Sequence, residues 1–369
     1  MPSQTAFLRL IAQLRALALV HLATFLCLGQ NGSVADEPKR VLWHDPASHS
    51  VQMIRVDKDV ELEVLDWGGT GRAVVLLTGL GNTAHVFDEF APKLTSGYHV
   101  YGITRRGYGA SSSPATGYGA DRLGDDVLAV LDALKIPKPI LVGHSIAGEE
   151  LSSIATRHPE RIAGAVYLDA AYSFAYYDPS VGDLNIDLID LQKKLYQLSM
   201  QPPEPRPLVQ ELLQTDLPLF ERDLRQFQKQ FEAMVNSRSP RRDPTTADRA
   251  SFDAYRSWQA RTQGPPFPEA ELRQQFEVNR DGSLGRWRMK SFVAEGIAAG
   301  QQKYTKLQVP ILAIYAVDNG HPNEEQIAAF EKGVPSAHVV RLPRANHYVY
   351  LSNEGDVLRA TQDFITSLP

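Results

Sequence analysis

From Val51 to Trp67 apolar and polar residues alternate, with Val51 and Met53 before an Asp57-Lys58 turn and Val60, Leu62 and Val64 after it. A period of two on both sides of a turn predicts a pair of antiparallel strands. Further on the apolar runs change character. Ala73 to Leu77, Val100 to Ile103, Ile140 to Val142, Ala165 to Leu168 and Ile311 to Tyr315 are short, rich in β-formers and without alternation, the pattern of strands covered on both faces in a parallel sheet. Helical periodicity fills the gaps, at Arg122 to Leu134, Glu150 to Arg157, Glu324 to Lys332 and Asp356 to Ile365. Strand alternating with helix implies right-handed crossovers and a doubly wound, mostly parallel α/β sheet.

The alternation stops near Tyr172 and resumes near Val309. Between them no run reads as a strand, and helices are expected at Asp187 to Leu198, Pro207 to Asn236, Ala247 to Arg261 and Ala270 to Val278, punctuated by Pro202-Pro203, Pro240 and Gly264-Pro265-Pro266. Both flanks return to one sheet pattern, so residues 173–304 are expected to form a helical cap inserted into a core of residues 36–172 and 305–369.

The first 35 residues stand apart. Arg9 and Arg15 are their only charges, Ala16 to Gly29 is almost wholly apolar, and Ser33-Val34-Ala35 places small residues where a signal peptidase reads. A cleavable leader ending at Ala35, and export to the periplasm or beyond, are the expectation; the apolar run of about 14 residues is short of the roughly 20 that span a bilayer. Cleavage removes Cys27, the only cysteine, so the mature chain holds no disulfide, and it takes the formal charge from −5 to −7. The remaining Lys and Arg are scattered, which argues against nucleic acid as a partner. With 43% hydrophobic and 22% charged residues the composition is that of an ordinary globular chain.

Candidate chemistry centres on Gly143-His144-Ser145-Ile146-Ala147-Gly148, between the strand Ile140-Leu141-Val142 and a helix. A serine hydroxyl is a weak nucleophile until a base and oxyanion donors stand beside it. A sharp turn can thrust it out toward them, provided that small residues, here Gly143 and Ala147, flank it at two positions either side. An ordinary turn in which Ser145 caps the helix would share the pentapeptide. Two other glycine-rich segments follow strands: Leu76-Leu77-Thr78-Gly79-Leu80-Gly81, and Thr104-Arg105-Arg106-Gly107-Tyr108-Gly109-Ala110-Ser111. Downstream, Ala316-Val317-Asp318 leaves one strand, and Ala345-Asn346-His347 follows another.

Together these segments resemble the α/β-hydrolase fold family over roughly residues 51–172 and 305–369. The resemblance implies Ser145 as nucleophile, His347 as base, and Leu80 and Ile146 as amide donors to the oxyanion, with no cofactor. Asp318, after the strand where the family most often carries its acid, is the preferred third member; Asp169, at the end of the strand after the elbow, is the alternative. Thr78 and Thr104 depart from the His and Asp common at their positions. Arg106 is read as structural, and Glu149 and Glu150 as complementing the helix dipole. His144, His85 and His321 show no ligand-like spacing, so no metal is expected. Hydrolysis of a small ester-like substrate through an acyl-enzyme is the implied activity. A perhydrolase, lyase or acyltransferase on the same scaffold, or a ligand-binding receptor, is the alternative. Oligomeric state and the cap residues lining the pocket stay open.

Overall fold

A computed structural model describes residues 43–237, 243–317 and 324–369. The expected leader, Asp318 and His321 lie outside these residues. Among the described residues there are ten strands: β1 (Ser50–Asp57), β2 (Val60–Gly68), β3 (Ala73–Leu77), β4 (His99–Ile103), β5 (Ile140–His144), β6 (Gly164–Leu168), β7 (Phe276–Val278), β8 (Leu284–Trp287), β9 (Ile311–Ala316) and β10 (Ala337–Leu342). Eight make one sheet in the order β1-β2-β4-β3-β5-β6-β9-β10. The β1-β2 and β2-β4 pairings are antiparallel and the other five parallel.

The helices, in chain order, are α1 (Ala120–Ala133), α2 (Ala147–Arg157), α3 (Leu184–Ser199), α4 (Pro205–Glu211), α5 (Leu217–Ser237), α6 (Phe252–Thr262), α7 (Glu269–Gln275), α8 (Ser291–Ala299), α9 (Glu324–Gly333), α10 (Val349–Ser352) and α11 (Glu354–Ser367). A strand's side chains point alternately to its two faces. Here Val75, Leu77, Leu141, Tyr167 and Ala313 pack with α1, α2 and α9 on one face. Val74, Leu76, Val142, Val166 and Leu312 pack on the other with Phe87, Phe90, Tyr350 and Val357. Both faces are dry, which is why these strands read as unbroken apolar runs. On the edge strand β1 the faces differ: Val51 and Met53 are exposed while Ile54 and Val56 pack toward the core.

Among the described residues, the chain from Ala170 to Pro310 adds no strand to this sheet. It contains α3 to α8 and a separate cluster of Phe252, Tyr255, Trp258, Leu272, Phe276 and Leu284. The helix expected over Ala270 to Val278 stops at Gln275, where the chain enters β7 and pairs antiparallel with β8. The Asp281-Gly282 turn, with Gly282 at φ +85°, is the hairpin signal that a search for helical periods passes over.

Candidate active site

Ser145 follows β5 directly and sits at φ +56°, a left-handed conformation that costs a side-chain-bearing residue strain. The turn is tight. A Cβ added at Gly143 would lie 2.9 Å from Leu151 and 3.1 Å from the Ala147 methyl, and one at Gly148 would meet the Ala170 carbonyl at 2.0 Å. Ser145 does not cap α2: no side chain closes that helix end, and its Oγ stands 2.9 Å from His347 Nε2. The His347 side chain is 42% exposed, so the imidazole faces both the serine and solvent.

The third member of this chain of hydrogen bonds is Asp169. His347 Nδ1 lies 2.7 Å from Asp169 Oδ2, on a carboxylate that is 1% exposed. Asp169 leaves β6 at φ +46°; its Oδ1 accepts from the Ala316 amide at 3.1 Å and its Oδ2 also accepts from the Tyr172 hydroxyl at 3.1 Å. The position against the imidazole that sequence reasoning preferred for Asp318 is therefore occupied by the alternative acid. β6 and β9 are adjacent parallel strands whose ends emerge side by side, so a carboxylate from either exit starts near the same place. The Ala316 amide at the end of β9 orients Asp169 rather than a residue of its own loop. A carboxylate can only accept, so Asp169 favours the tautomer with the hydrogen on Nδ1 and leaves Nε2 to accept from Ser145.

On the other side of the serine, the amides of Leu80 and Ile146 have no protein acceptor among the described residues. Their side chains share a cluster with Tyr108, Tyr118, Val293 and Met289. Arg105 braces this loop from beneath: Nη2 donates to the Thr78 carbonyl at 2.7 Å, Nη1 to Gly79 at 3.3 Å, and Nε to Glu150 at 2.6 Å. Glu150, read from sequence as a dipole partner, thus neutralises a buried guanidinium under the oxyanion loop. Glu149 is buried with both carboxyl oxygens unpartnered, and burial pushes its carboxyl well above the usual range, so it is held neutral. Arg106 pairs with Asp126 away from the serine. Thr104 accepts from the Ala84 amide and donates to Glu63.

His144, next to Ser145, has contacts its sequence position did not suggest. It is fully buried, and desolvation, with His347 alongside, holds it well below the ordinary imidazole range; neutral, its Nε2 donates to the His347 carbonyl at 2.9 Å. It holds His347 through the backbone. A Cβ at Gly79 would meet His144 Nδ1 at 2.7 Å, so glycine there lets the oxyanion loop pass.

A family model of the alpha/beta hydrolase fold matches residues 72–354. The chain belongs to the α/β-hydrolase fold family. Over 111 residues it is 37% identical to a putative non-heme haloperoxidase of Mycobacterium phage D29, covering 30% of this chain and 40% of that protein. Over 115 residues it is 32% identical to 3-oxoadipate enol-lactonase 2 of Acinetobacter baylyi, covering 31% and 43%. The chain thus matches about two fifths of the length of these curated relatives. Among solved structures, E-2-(acetamidomethylene)succinate hydrolase aligns with a TM-score of 0.59 at 19% identity, over 86% of this chain and 100% of that one, a likeness of fold. In this α/β-hydrolase Ser145, the Thr78-Gly79-Leu80 loop and Asp169 lie at the carboxyl ends of β5, β3 and β6, where open α/β sheets place their sites.

The inserted segment reaches the site through Glu271 of α7. Its carboxyl is fully buried and accepts from Asn82 Nδ2 at 2.9 Å, the Thr83 amide at 3.1 Å and the Thr83 hydroxyl. Burial pushes this carboxyl up to about 7, from an ordinary 4.5, against the lowering effect of those donors. Between the two ionisations the folded protein keeps a proton that the unfolded chain has lost. The Glu271 contribution to stability is therefore present below pH 4.5 and falls, by about 1.4 kcal/mol per pH unit, as pH rises toward 7. Denaturant titrations of wild type and Glu271→Gln across this window are expected to converge or cross as pH rises; parallel curves would refute it.

Proposed function

We propose that this chain is a serine hydrolase of carboxylic esters, with Ser145 as nucleophile, His347 as general base and Asp169 as the acid that orients it. The observation that carries the reading is the continuous chain from Ser145 Oγ through His347 to Asp169, at 2.9 and 2.7 Å. In this reading Ser145 attacks the substrate carbonyl while His347 Nε2 takes its proton, and Asp169 stabilises the imidazolium. The Leu80 and Ile146 amides receive the oxyanion. His347 then protonates the departing alcohol, and activates a water that releases the acid and restores Ser145. A cleft of about 570 Å³ between Gly81, Gly107 to Gly109 and the β7-β8 hairpin adjoins the oxyanion loop, and is the proposed approach for substrate.

Relatives named non-heme haloperoxidase and chloroperoxidase favour a second reading, in which hydrogen peroxide rather than water accepts the acyl group. Both readings need an acyl-enzyme on Ser145. A fluorophosphonate probe is expected to label the folded protein once, on the Ser145 peptide, and to leave Ser145→Ala unlabelled. An unlabelled wild-type protein would point instead to a binding module. Adding peroxide to an ester assay, and measuring peracid, separates the two acceptors.

A further inference from the structure

Away from the serine, four side chains with metal-binding atoms converge, all of those atoms lying within 4.8 Å of one another: Asp45, His49, His85 and Asp88. Asp45 and His49 belong to the segment before β1. His85 lies on the short helix Ala84–Phe87, and Asp88 closes that helix, just beyond the oxyanion loop. We propose that these four residues bind one divalent transition-metal ion, with Zn²⁺ the best match, and so fasten the segment before β1 to the helix after the oxyanion loop.

The donor chemistry selects the ion. Two imidazoles and two carboxylates suit Zn²⁺, whereas Ca²⁺ and Mg²⁺ take oxygen-dominated shells. The spacing fits as well: four donors about 2.0–2.1 Å from a tetrahedral ion stand about 3.3 Å apart. His85 Nδ1 is 3.1 Å from Asp88 Oδ2 and 3.3 Å from Asp45 Oδ2, and His49 lies beside both carboxylates, Nδ1 3.1 Å from Asp88 Oδ1 and Nε2 3.8 Å from Asp45 Oδ2.

A second observation is independent of the spacing. His49 Nδ1, on a side chain only 4% exposed, faces Asp88 Oδ1 without the alignment of a hydrogen bond, and has no hydrogen-bond partner. A buried imidazole nitrogen left without a hydrogen bond costs free energy that a bound ion would recover.

The surroundings follow the outer-shell pattern of metal sites, where a ligating histidine turns its other nitrogen toward a carboxylate and ligating carboxylates are themselves bonded. His85 Nε2 faces Glu63 Oε1 at 3.6 Å, and Trp67 Nε1 donates to Asp88 Oδ1 at 3.1 Å. Glu63 is fixed in turn by the Thr104 hydroxyl. Asp45, at 23% exposed, is the open side through which an ion enters.

The test uses the untagged full chain, stripped with a chelator and titrated with Zn²⁺ alone by calorimetry and thermal melts. One Zn²⁺ per chain and a raised Tm are expected, with both lost in His49→Ala and Asp45→Asn. Trp67→Phe, which removes only the indole donor to Asp88, is expected to weaken Zn²⁺ binding by about 10- to 100-fold. Absence of stoichiometric binding, or ligand variants that bind as wild type does, would overturn the site and leave an ion-pair cluster. Should a ligand variant not fold, the Co²⁺ spectrum of the wild-type chain decides. Intense visible bands of a four-coordinate centre support the site, and the weak bands of hexaaqua Co²⁺ refute it.

Discussion

Replacing Ser145 with alanine is expected to lower kcat/KM for short p-nitrophenyl esters by several orders of magnitude, on the order of 10⁶-fold if the triad acts as a unit. The physical case rests on what the hydroxyl touches. Its Oγ meets His347 Nε2 at 2.9 Å, on an imidazole already 42% exposed, so its removal leaves a nitrogen that water can satisfy. The backbone at this position is left-handed and strained for serine and alanine alike. Melting temperatures of the two proteins should therefore agree closely while turnover differs. Wild-type rates from a correctly folded Ser145→Ala protein would remove the nucleophile assignment.

Asp169→Asn is expected to reduce the acylation rate by about 10⁴-fold, as when the aspartate of a triad becomes an amide. An amide NH₂ in place of Oδ2 would donate to His347 Nδ1, driving its proton to Nε2 and presenting a donor to Ser145 where an acceptor is needed. Asp318→Asn should cost far less, because Nδ1 already has its partner. Asp169 also receives the Ala316 amide and the Tyr172 hydroxyl, so the comparison needs melts of each variant and single-turnover rates. A crippled Asp318→Asn beside a mild Asp169→Asn would return the acid to the later strand.

Much of the architecture was legible in local sequence. Apolar runs without alternation identified the strands buried on both faces, and helical periods identified α1, α2, α9 and α11 to within a few residues. The errors fall where local signals are short or ambiguous. Phe276 to Val278 is a three-residue strand that continues the apolar rhythm of α7. The helix Ser291–Ala299 lay in a segment with no clear polar face. Val51 and Met53 alternate as a strand should, but periodicity does not say which face of an edge strand meets the core.

For the site, the chain alone determined that a serine would stand at a strand-to-helix turn between small residues, and that a histidine would follow the last strand, because both are statements about neighbours in sequence. It could not decide between Asp169 and Asp318: each follows one of two adjacent parallel strands, and the choice turns on the contact with His347 Nδ1, which Asp169 makes from 178 residues away. The His144 bond to the His347 carbonyl, the Arg105 brace under Gly79 and the gathering of Asp45 and His49 with His85 and Asp88 are of the same kind. Each joins atoms that the sequence holds far apart, and only the packing of the sheet and its loops brings them within reach.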